Sequence, residues 1–291
     1  MKVLRHAALA TAMLSCAGIA TTAPASAHTV PEATKSVAST KAAASDSLAG
    51  TIALDNCSGS LVRYAQSTGT DHALMLTNGH CYEGGMPDAG EVITDRPSTR
   101  TGKLLNADGD PVGTVAADRL LYSTMTGTDI SLYELDATYD EITADTGIAA
   151  LTLASSKPAD KTSITVASGY WQRTWHCEVN GFVDTLKEAD WTMHDSVRYS
   201  MPGCDIIGGS SGSPVLDDAS GEVVAVNNTI NEDGEQCTMN NPCEVNEDGT
   251  TTATQGEGYA QETYWITTCL AADRSLDLTV AGCLLTKPAA G

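Results

Sequence analysis

The stretch Ala73-Leu74-Met75-Leu76-Thr77-Asn78-Gly79-His80-Cys81 sets the reading of the whole chain. Its apolar run is short and closed by Asn-Gly, which suits a buried strand better than a helix. The strand delivers an imidazole at its end, beside a cysteine able to fix the local backbone. A general base needs that rigidity, because one ring nitrogen must stay within hydrogen-bond reach of the group it deprotonates. A lone histidine after a strand is more often structural, so its meaning depends on what surrounds it.

Outward from this stretch, short apolar runs recur at 60–64, 112–116, 130–135, 163–167, 179–183, 197–201 and 222–226, each flanked by turn formers. Helical periodicity is scarce, and 264–270 is the best candidate for a late helix or last strand. Many short strands without intervening amphipathic helices predict an all-β sandwich or pair of barrels. No fixed-period repeat is present. The acidic, turn-rich 231–258 stretch reads as one surface excursion tied by Cys237 and Cys243.

The 291 residues, 42% apolar, suit one two-lobed domain with a sizeable core. With 37 acidic against 16 basic residues the net charge is −21, a surface that repels phosphate backbones and anionic lipid. Nucleic acid is therefore not an expected partner. Residues 1–27 read as a secretory signal: Lys2 and Arg5, an uncharged apolar stretch from Ala7 to Ala20, then Ala25-Ser26-Ala27 for cleavage. That stretch falls short of the roughly 20 residues needed to span a bilayer, and the residues before Cys16 fit a lipoprotein site poorly. Residues 28–47, rich in Ala, Ser, Thr and Lys, read as a flexible leader or propeptide. From 48 to 291 the texture changes to short apolar runs punctuated by Gly, Asn, Asp and Pro.

Export makes the remaining cysteines disulfide candidates: Cys57, Cys81, Cys177, Cys204, Cys237, Cys243, Cys269 and Cys283. No pair has C-x-x-C spacing, so zinc is a poor account of them. Acidic turns at 108–110 and 246–249 lack the pattern of an EF-hand loop and read as solvated turns. Neither a metal nor a cofactor is expected.

Two further segments carry chemistry. Gly127-Thr128-Asp129-Ile130-Ser131-Leu132 places a carboxylate at the opening of an apolar strand, where it can accept a proton from an imidazole; an ordinary turn aspartate is the alternative. Gly208-Gly209-Ser210-Ser211-Gly212-Ser213-Pro214-Val215 surrounds two serines with glycines, which let the backbone approach a substrate and turn N–H groups toward one point. A linker of similar composition would not run straight into Pro214-Val215-Leu216 and a further strand.

Together these segments resemble the chymotrypsin-like serine proteases. Thr77-Asn78-Gly79-His80-Cys81 is similar to their Thr-Ala-Ala-His-Cys, and Cys57-Ser58-Gly59-Ser60-Leu61-Val62 to their Cys-Gly-Gly-Ser-Leu-Ile. Asp129-Ile130-Ser131-Leu132 resembles Asp-Ile-Ala-Leu, and Gly209-Ser210-Ser211-Gly212-Ser213-Pro214 resembles Gly-Asp-Ser-Gly-Gly-Pro. The order His, Asp, Ser and the gaps between them suit that family, over roughly 48–270. The resemblance implies two six-stranded antiparallel β-barrels, about 48–145 and 146–270, with the active site between them and a disulfide-held tail. It implies Ser211 as nucleophile, His80 as general base and Asp129 as its orienting acid, with an oxyanion hole from the N–H groups of Gly209 and Ser211. It also pairs Cys57 with Cys81. Of the other cysteines, Cys237–Cys243 and Cys269–Cys283 are the short-loop choices, which leaves Cys177–Cys204.

Rival readings are weaker. The glycine-serine segment also satisfies G-x-S-x-G, but that hydrolase order places the histidine last, and all six histidines here precede the serine. Ser210 replaces the aspartate that pairs with a new N-terminus in digestive relatives, so that activation switch is not expected, and the motif is closer to the secreted bacterial branch. Asp205, six residues before Ser211, stands where a carboxylate at the base of the specificity pocket would favour Lys or Arg. Glutamyl preference would need a histidine after the nucleophile. Peptides are expected to add a strand beside Val226, Asn227 and Asn228. The expectation is therefore a secreted, monomeric serine endopeptidase acting on proteins or peptides. The alternative is a catalytically inactive, protease-like extracellular binding protein.

Overall fold

The computed structural model describes residues 46–289. The signal-like segment and nearly all of the leader therefore lie outside the described residues. The first half contains β1 (Thr51–Ala53), β2 (Ser58–Arg63), β3 (His72–Thr77), β4 (Val92–Pro97), β5 (Thr101–Leu105), β6 (Pro111–Thr124), β7 (Ile130–Thr138), a helix α1 (Tyr139–Thr146) and β8 (Leu151–Thr152). The second half contains β9 (Ser163–Ser168), β10 (Arg173–Glu188), β11 (Trp191–Tyr199), β12 (Pro214–Asp217), β13 (Val223–Ile230), β14 (Cys243–Val245), β15 (Thr251–Thr252), β16 (Gly258–Glu262) and α2 (Tyr264–Thr267).

Each half closes on itself. In the first, the order β1-β5-β6-β7-β3-β2 returns to β1 through the Thr51↔Ser60 pairing, a six-stranded antiparallel ring. The second ring runs β11-β16-β13-β12-β9-β10 and closes through β10–β11. Closure removes the exposed edges that an open sheet would present. The all-β, double-barrel expectation holds, with α1 as an addition. Its start is a capping box, in which Thr138 accepts the Glu141 N–H and Glu141 reaches back to the Thr138 N–H. The 264–270 segment resolves into the short helix α2 after the last strand.

Apolar clusters fill each half and the seam between them. One fills the first barrel around Ile52, Leu61, Met75, Leu104 and Leu120, and another the second around Val166, Val197, Tyr199 and Val215. The third lies on the seam, where Leu74, Leu76, Ile130 and Leu132 from the first half meet Val223, Val226 and Ile266 from the second. Each such fully buried aliphatic side chain contributes about 1.5–3 kcal/mol, so the seam is a core rather than a hinge. The C-terminal tail covers it: Tyr122 Oη donates to Thr286 O (3.1 Å) and Thr286 Oγ1 to Thr126 O (2.7 Å).

The cysteines stand in four pairs at bonding distance, Cys57–Cys81, Cys177–Cys204, Cys237–Cys243 and Cys269–Cys283. The last of these ties α2 to the tail. The 231–258 excursion carries β14, which pairs with β10 through Leu186↔Glu244, and so lies against the second barrel.

Candidate active site

Strand β3 ends at Thr77, and a single turn of 3-10 helix over Gly79–Cys81 turns His80 toward the seam. The turn requires glycine at 79, since a β-carbon there would lie 1.9 Å from the Thr124 carbonyl oxygen. Cys81 is joined to Cys57 at the start of β2. The buried Arg100 guanidinium reinforces the turn by donating to Cys81 O and to Asn56 Oδ1. The imidazole therefore sits on a short segment clamped at both ends.

Asp129 opens β7 with its side chain 2% exposed. Its Oδ2 lies 2.7 Å from His80 Nδ1, and its Oδ1 accepts the His80 backbone N–H at 2.9 Å. A carboxylate that engages both the ring and the main chain of one residue fixes ring orientation and tautomer together. Burial would push the imidazole pKa down. The Asp129 charge and hydrogen bond, with a smaller push from Glu188, outweigh burial and raise it above its ordinary value.

Ser211 lies on the glycine-rich loop that leads into β12. The Ser210 N–H closes a turn onto Ile207 O (3.0 Å), with Gly209 at φ +86° in its third position, which favours glycine. Gly212 follows at φ +80°, where a β-carbon would lie 2.0 Å from Ser58 O. The first barrel grips this loop through Ser58 and Asn78, with Ser58 Oγ also donating to Gly209 O at 3.5 Å. Ser58 N–H donates to Ser211 O (2.8 Å), and Asn78 Oδ1 accepts the Gly212 N–H (2.6 Å) while Asn78 Nδ2 donates to Asp129 O (2.8 Å). Asn78, fully buried, thus joins the acid's strand to the serine's loop. The Ser211 hydroxyl donates to Asn228 O at 3.1 Å. Among the described residues, no acceptor is found for the backbone N–H groups of Gly209 and Ser211.

One cleft at the seam is lined by His80, Asp129, Ser210 and Ser211 together with Gly208, Asn228, Thr229 and Ile230. Met125, Glu188, Trp191 and Met193 also line it. Glu188 ends β10 and accepts the Asn240 N–H at 2.8 Å. Partial burial raises its pKa despite the bonds from Thr229 and Asn240. Trp191 spans the cleft wall, with Nε1 donating to Pro87 O (2.9 Å). Glu232, Met239 and Asn240 bring the disulfide-held excursion to the rim.

The predicted site residues Asp205, Val226 and Asn227 are placed outside the cleft lining. Asp205 is exposed and does not line the cleft. The inward position falls to Ile206, 3% exposed and packed with Tyr199 and Ile230. An apolar neighbour gains more from burial than an unpaired carboxylate, so the chain turns Asp205 outward. Val226 is wholly buried and paired on both sides, with Pro214 and with Gln261, so no further strand can add there. Asn227 is architectural: Nδ2 donates to Ser210 O (3.0 Å) and Oδ1 accepts the Tyr199 hydroxyl (3.2 Å). Beyond the Asn227 N–H→Ser213 O bond, β12 no longer runs alongside, and a register shift falls between Asn227 and Thr229. Residues 228–230 keep β16 on one side and face the cleft on the other.

Asn78, Glu188 and the methionine wall were not singled out from sequence. For Asn78 and Gly79 a signal existed, since Asn-Gly stands where the related motif has Ala-Ala. Among the described residues, the one cluster with metal-ligand proximity is Cys57, His80 and Cys81, and its two thiols are already joined to each other. No described helix is long and apolar enough to cross a membrane.

Residues 57–226 match the family model described as a trypsin-like peptidase domain. No curated protein matches the chain. Solved structures similar to it include the MamO protease domain from Magnetospirillum magneticum, 12% identical over 78% of this chain and 98% of that one, with a TM-score of 0.48. A protease of M. tuberculosis in its inactive form is 12% identical over 74% and 84%, TM-score 0.44. The Nocardiopsis protease is 14% identical over 75% and 91%, TM-score 0.41. The family model covers more than half of the chain and includes His80, Asp129 and Ser211: the chain belongs to the trypsin-like peptidases.

Proposed function

We propose that the protein is a secreted serine endopeptidase in which Ser211 is the nucleophile, His80 the general base and then acid, and Asp129 the group that orients and charge-stabilises the imidazole. The observation that carries this reading is the meeting of all three in one cleft, with His80 bonded to Asp129 through both ring and main chain. Rotation of the Ser211 side chain away from Asn228 O lets the hydroxyl pass its proton to His80 Nε2 as its oxygen attacks the scissile carbonyl carbon. The resulting oxyanion is received by the N–H groups of Gly209 and Ser211. The imidazolium protonates the departing amine, the acyl-enzyme forms, and water repeats the sequence to release the acid.

The substrate lies as an added strand against 228–230, the stretch of β13 that lacks a second partner. The primary pocket, near Ile206, Ile207 and Ile230, is largely apolar. Asp205 gives no support to a basic preference in that pocket. Cationic side chains are favoured instead where the peptide passes Glu188 and Glu232, and acidic ones are disfavoured there. Export is supported by the signal-like 1–27 segment together with the four cysteine pairs.

One observation favours the inactive-binder reading: the Ser211 hydroxyl bonds to a carbonyl rather than to the imidazole. Fluorophosphonate labelling of the folded protein separates the two. Stoichiometric modification at Ser211, with cleavage of a peptide library, is expected of the enzyme. Folded protein that is neither labelled nor active on any library member is a binder.

A further inference from the structure

We propose that Trp171 is a positioning residue for the oxyanion hole, an inference that rests on the peptidase reading above. The turn between β9 and β10 is a four-residue connection, Gly169-Tyr170-Trp171-Gln172, closed by the Ser168↔Arg173 pair. At its tip Tyr170 and Trp171 are 42% and 45% exposed and stack edge to face, with ring centroids 5.2 Å apart.

The tip is held by the first barrel. The buried hydroxyls of Ser58 and Ser168 lie 2.8 Å apart; Ser58 Oγ accepts the Tyr170 N–H and Ser168 Oγ the Trp171 N–H, both at 3.2 Å. Gly169 packs so closely that a β-carbon there would lie 2.5 Å from Ile52 O. The indole is thereby set, and its Nε1–H donates to Gly208 O at 2.9 Å.

That carbonyl shares a peptide plane with the Gly209 N–H. The only cis bond among the described residues is Met201–Pro202, so the 208–209 peptide is trans. In a trans peptide the C=O and N–H point in opposite directions. Anchoring the carbonyl to the indole on the outer face therefore aims the Gly209 N–H toward the inner face, where Gly208 and Ser211 line the cleft with His80. A β-carbon on Gly209 would lie 3.1 Å from both Trp171 Nε1 and Tyr170 Cδ1, so the aromatic pair closes the outer side of the loop. Flanking glycines give this peptide little resistance to flipping, and the indole bond supplies it.

The test is Trp171→Phe, which keeps an aromatic ring and removes the donor. Loss of a whole oxyanion donor costs roughly 100- to 1,000-fold in kcat, so loss of its orienting bond is expected to cost about 10- to 50-fold, with KM within about twofold. The affinity for a peptidyl aldehyde, which forms an oxyanion on Ser211, should fall by a similar factor. The matching peptidyl alcohol forms none; its unchanged affinity also reports that the variant is folded. Should phenylalanine disturb the fold, benzothienylalanine introduced at 171 has the indole shape without the N–H, and the same losses are expected. Wild-type kcat and aldehyde affinity in either variant, or a rise in KM alone, overturns the role of Trp171 and leaves the peptidase reading intact. If the unaltered protein neither cleaves peptides nor prefers aldehyde to alcohol, both inferences fall together.

Discussion

The two halves of the site are built on opposite plans. In the first barrel, His80 and Asp129 sit on strand ends, share two hydrogen bonds, and are backed by a disulfide and a buried arginine. In the second, Ser211 rides a glycine-rich loop with positive φ on either side, its hydroxyl turned to a carbonyl and the N–H groups of Gly209 and of Ser211 itself unspent. The His80 ring is fixed by contacts within the first barrel, whereas the serine's loop takes its shape from outside contacts: Ser58, Asn78 and Asn227, with the indole of Trp171. The imidazole–carboxylate pair thus rests on regular structure, and the backbone donors that the proposed mechanism assigns to the oxyanion are left free by a loop.

The largest expected effect removes the second half altogether. Ser211→Ala should lower kcat by about a millionfold if the three groups act as a unit, with the thermal midpoint unchanged, as read by peptide hydrolysis and calorimetry. Retained turnover would remove Ser211 from its role. Next comes the link between the halves. Asn78→Ala deletes the bonds to Asp129 O and Gly212 N–H. The Gly212 N–H keeps Asn227 O as partner (2.9 Å), so the fold should lose only about 1–3 kcal/mol for the stranded carbonyl. Turnover should fall by roughly 100-fold, since small misplacements of catalytic groups are costly. A variant with a lowered midpoint but full kcat would show that the serine loop does not depend on the first barrel.

A third measurement contrasts the buried carboxylates. Asp129 accepts two bonds from His80, but both oxygens of Glu262 in β16 lack a hydrogen-bond partner, with Lys157 Nζ 3.5 Å away. Burial raises the Glu262 pKa to about 8 from 4.5. The folded state therefore favours the neutral acid, and the stability linked to it is full below pH 4.5 and lost as pH rises toward 8. Glu262→Gln removes that loss. It should stabilise by on the order of 1 kcal/mol at pH 8 and by less at pH 5, read from denaturant midpoints. Equal shifts at both pH values would mean that the carboxyl ionises normally.

What the sequence made legible follows the same division. His80 and Asp129 could be read because their settings are local, a strand end and a strand start. The Ser211 loop could be read because its glycines have few other uses at that density. Asp205 misled because facing is decided by burial of its neighbour: Ile206 takes the inward position. Val226 misled because the free edge begins where β12 ends, at Asn227, and pairing partners distant in sequence leave no local mark. Helix α1 carries a Thr-x-x-Glu start, but it is only eight residues long and has no strong apolar stripe, so its periodicity gives little helical signal. Strand β4 (VITDRP) breaks off its apolar start with Asp, Arg and Pro, and β5 (TGKLL) is short and opens on Thr-Gly-Lys, so neither gave much alternation to detect.

The smallest expected effect probes how far the first half's electrostatics reach into the cleft. His80 must be neutral to accept the serine proton, so the acid limb of kcat/KM follows its pKa. That pKa is raised chiefly by Asp129 acting against burial, with Glu188 adding to it from the second barrel. The acid limb should therefore lie above the ordinary histidine value of about 6.5. Glu188→Gln removes one of the two supporting charges, so the limb should move to lower pH, by less than it would on loss of Asp129. Substrates with a cationic residue beside Glu188 should lose kcat/KM in the same variant, while neutral ones change little. A limb that stays in place while cationic selectivity is lost would confine Glu188 to substrate recognition. A limb that moves without loss of selectivity would confine it to the imidazole, and the contrast between a self-sufficient first half and a dependent second half would then need to run in both directions.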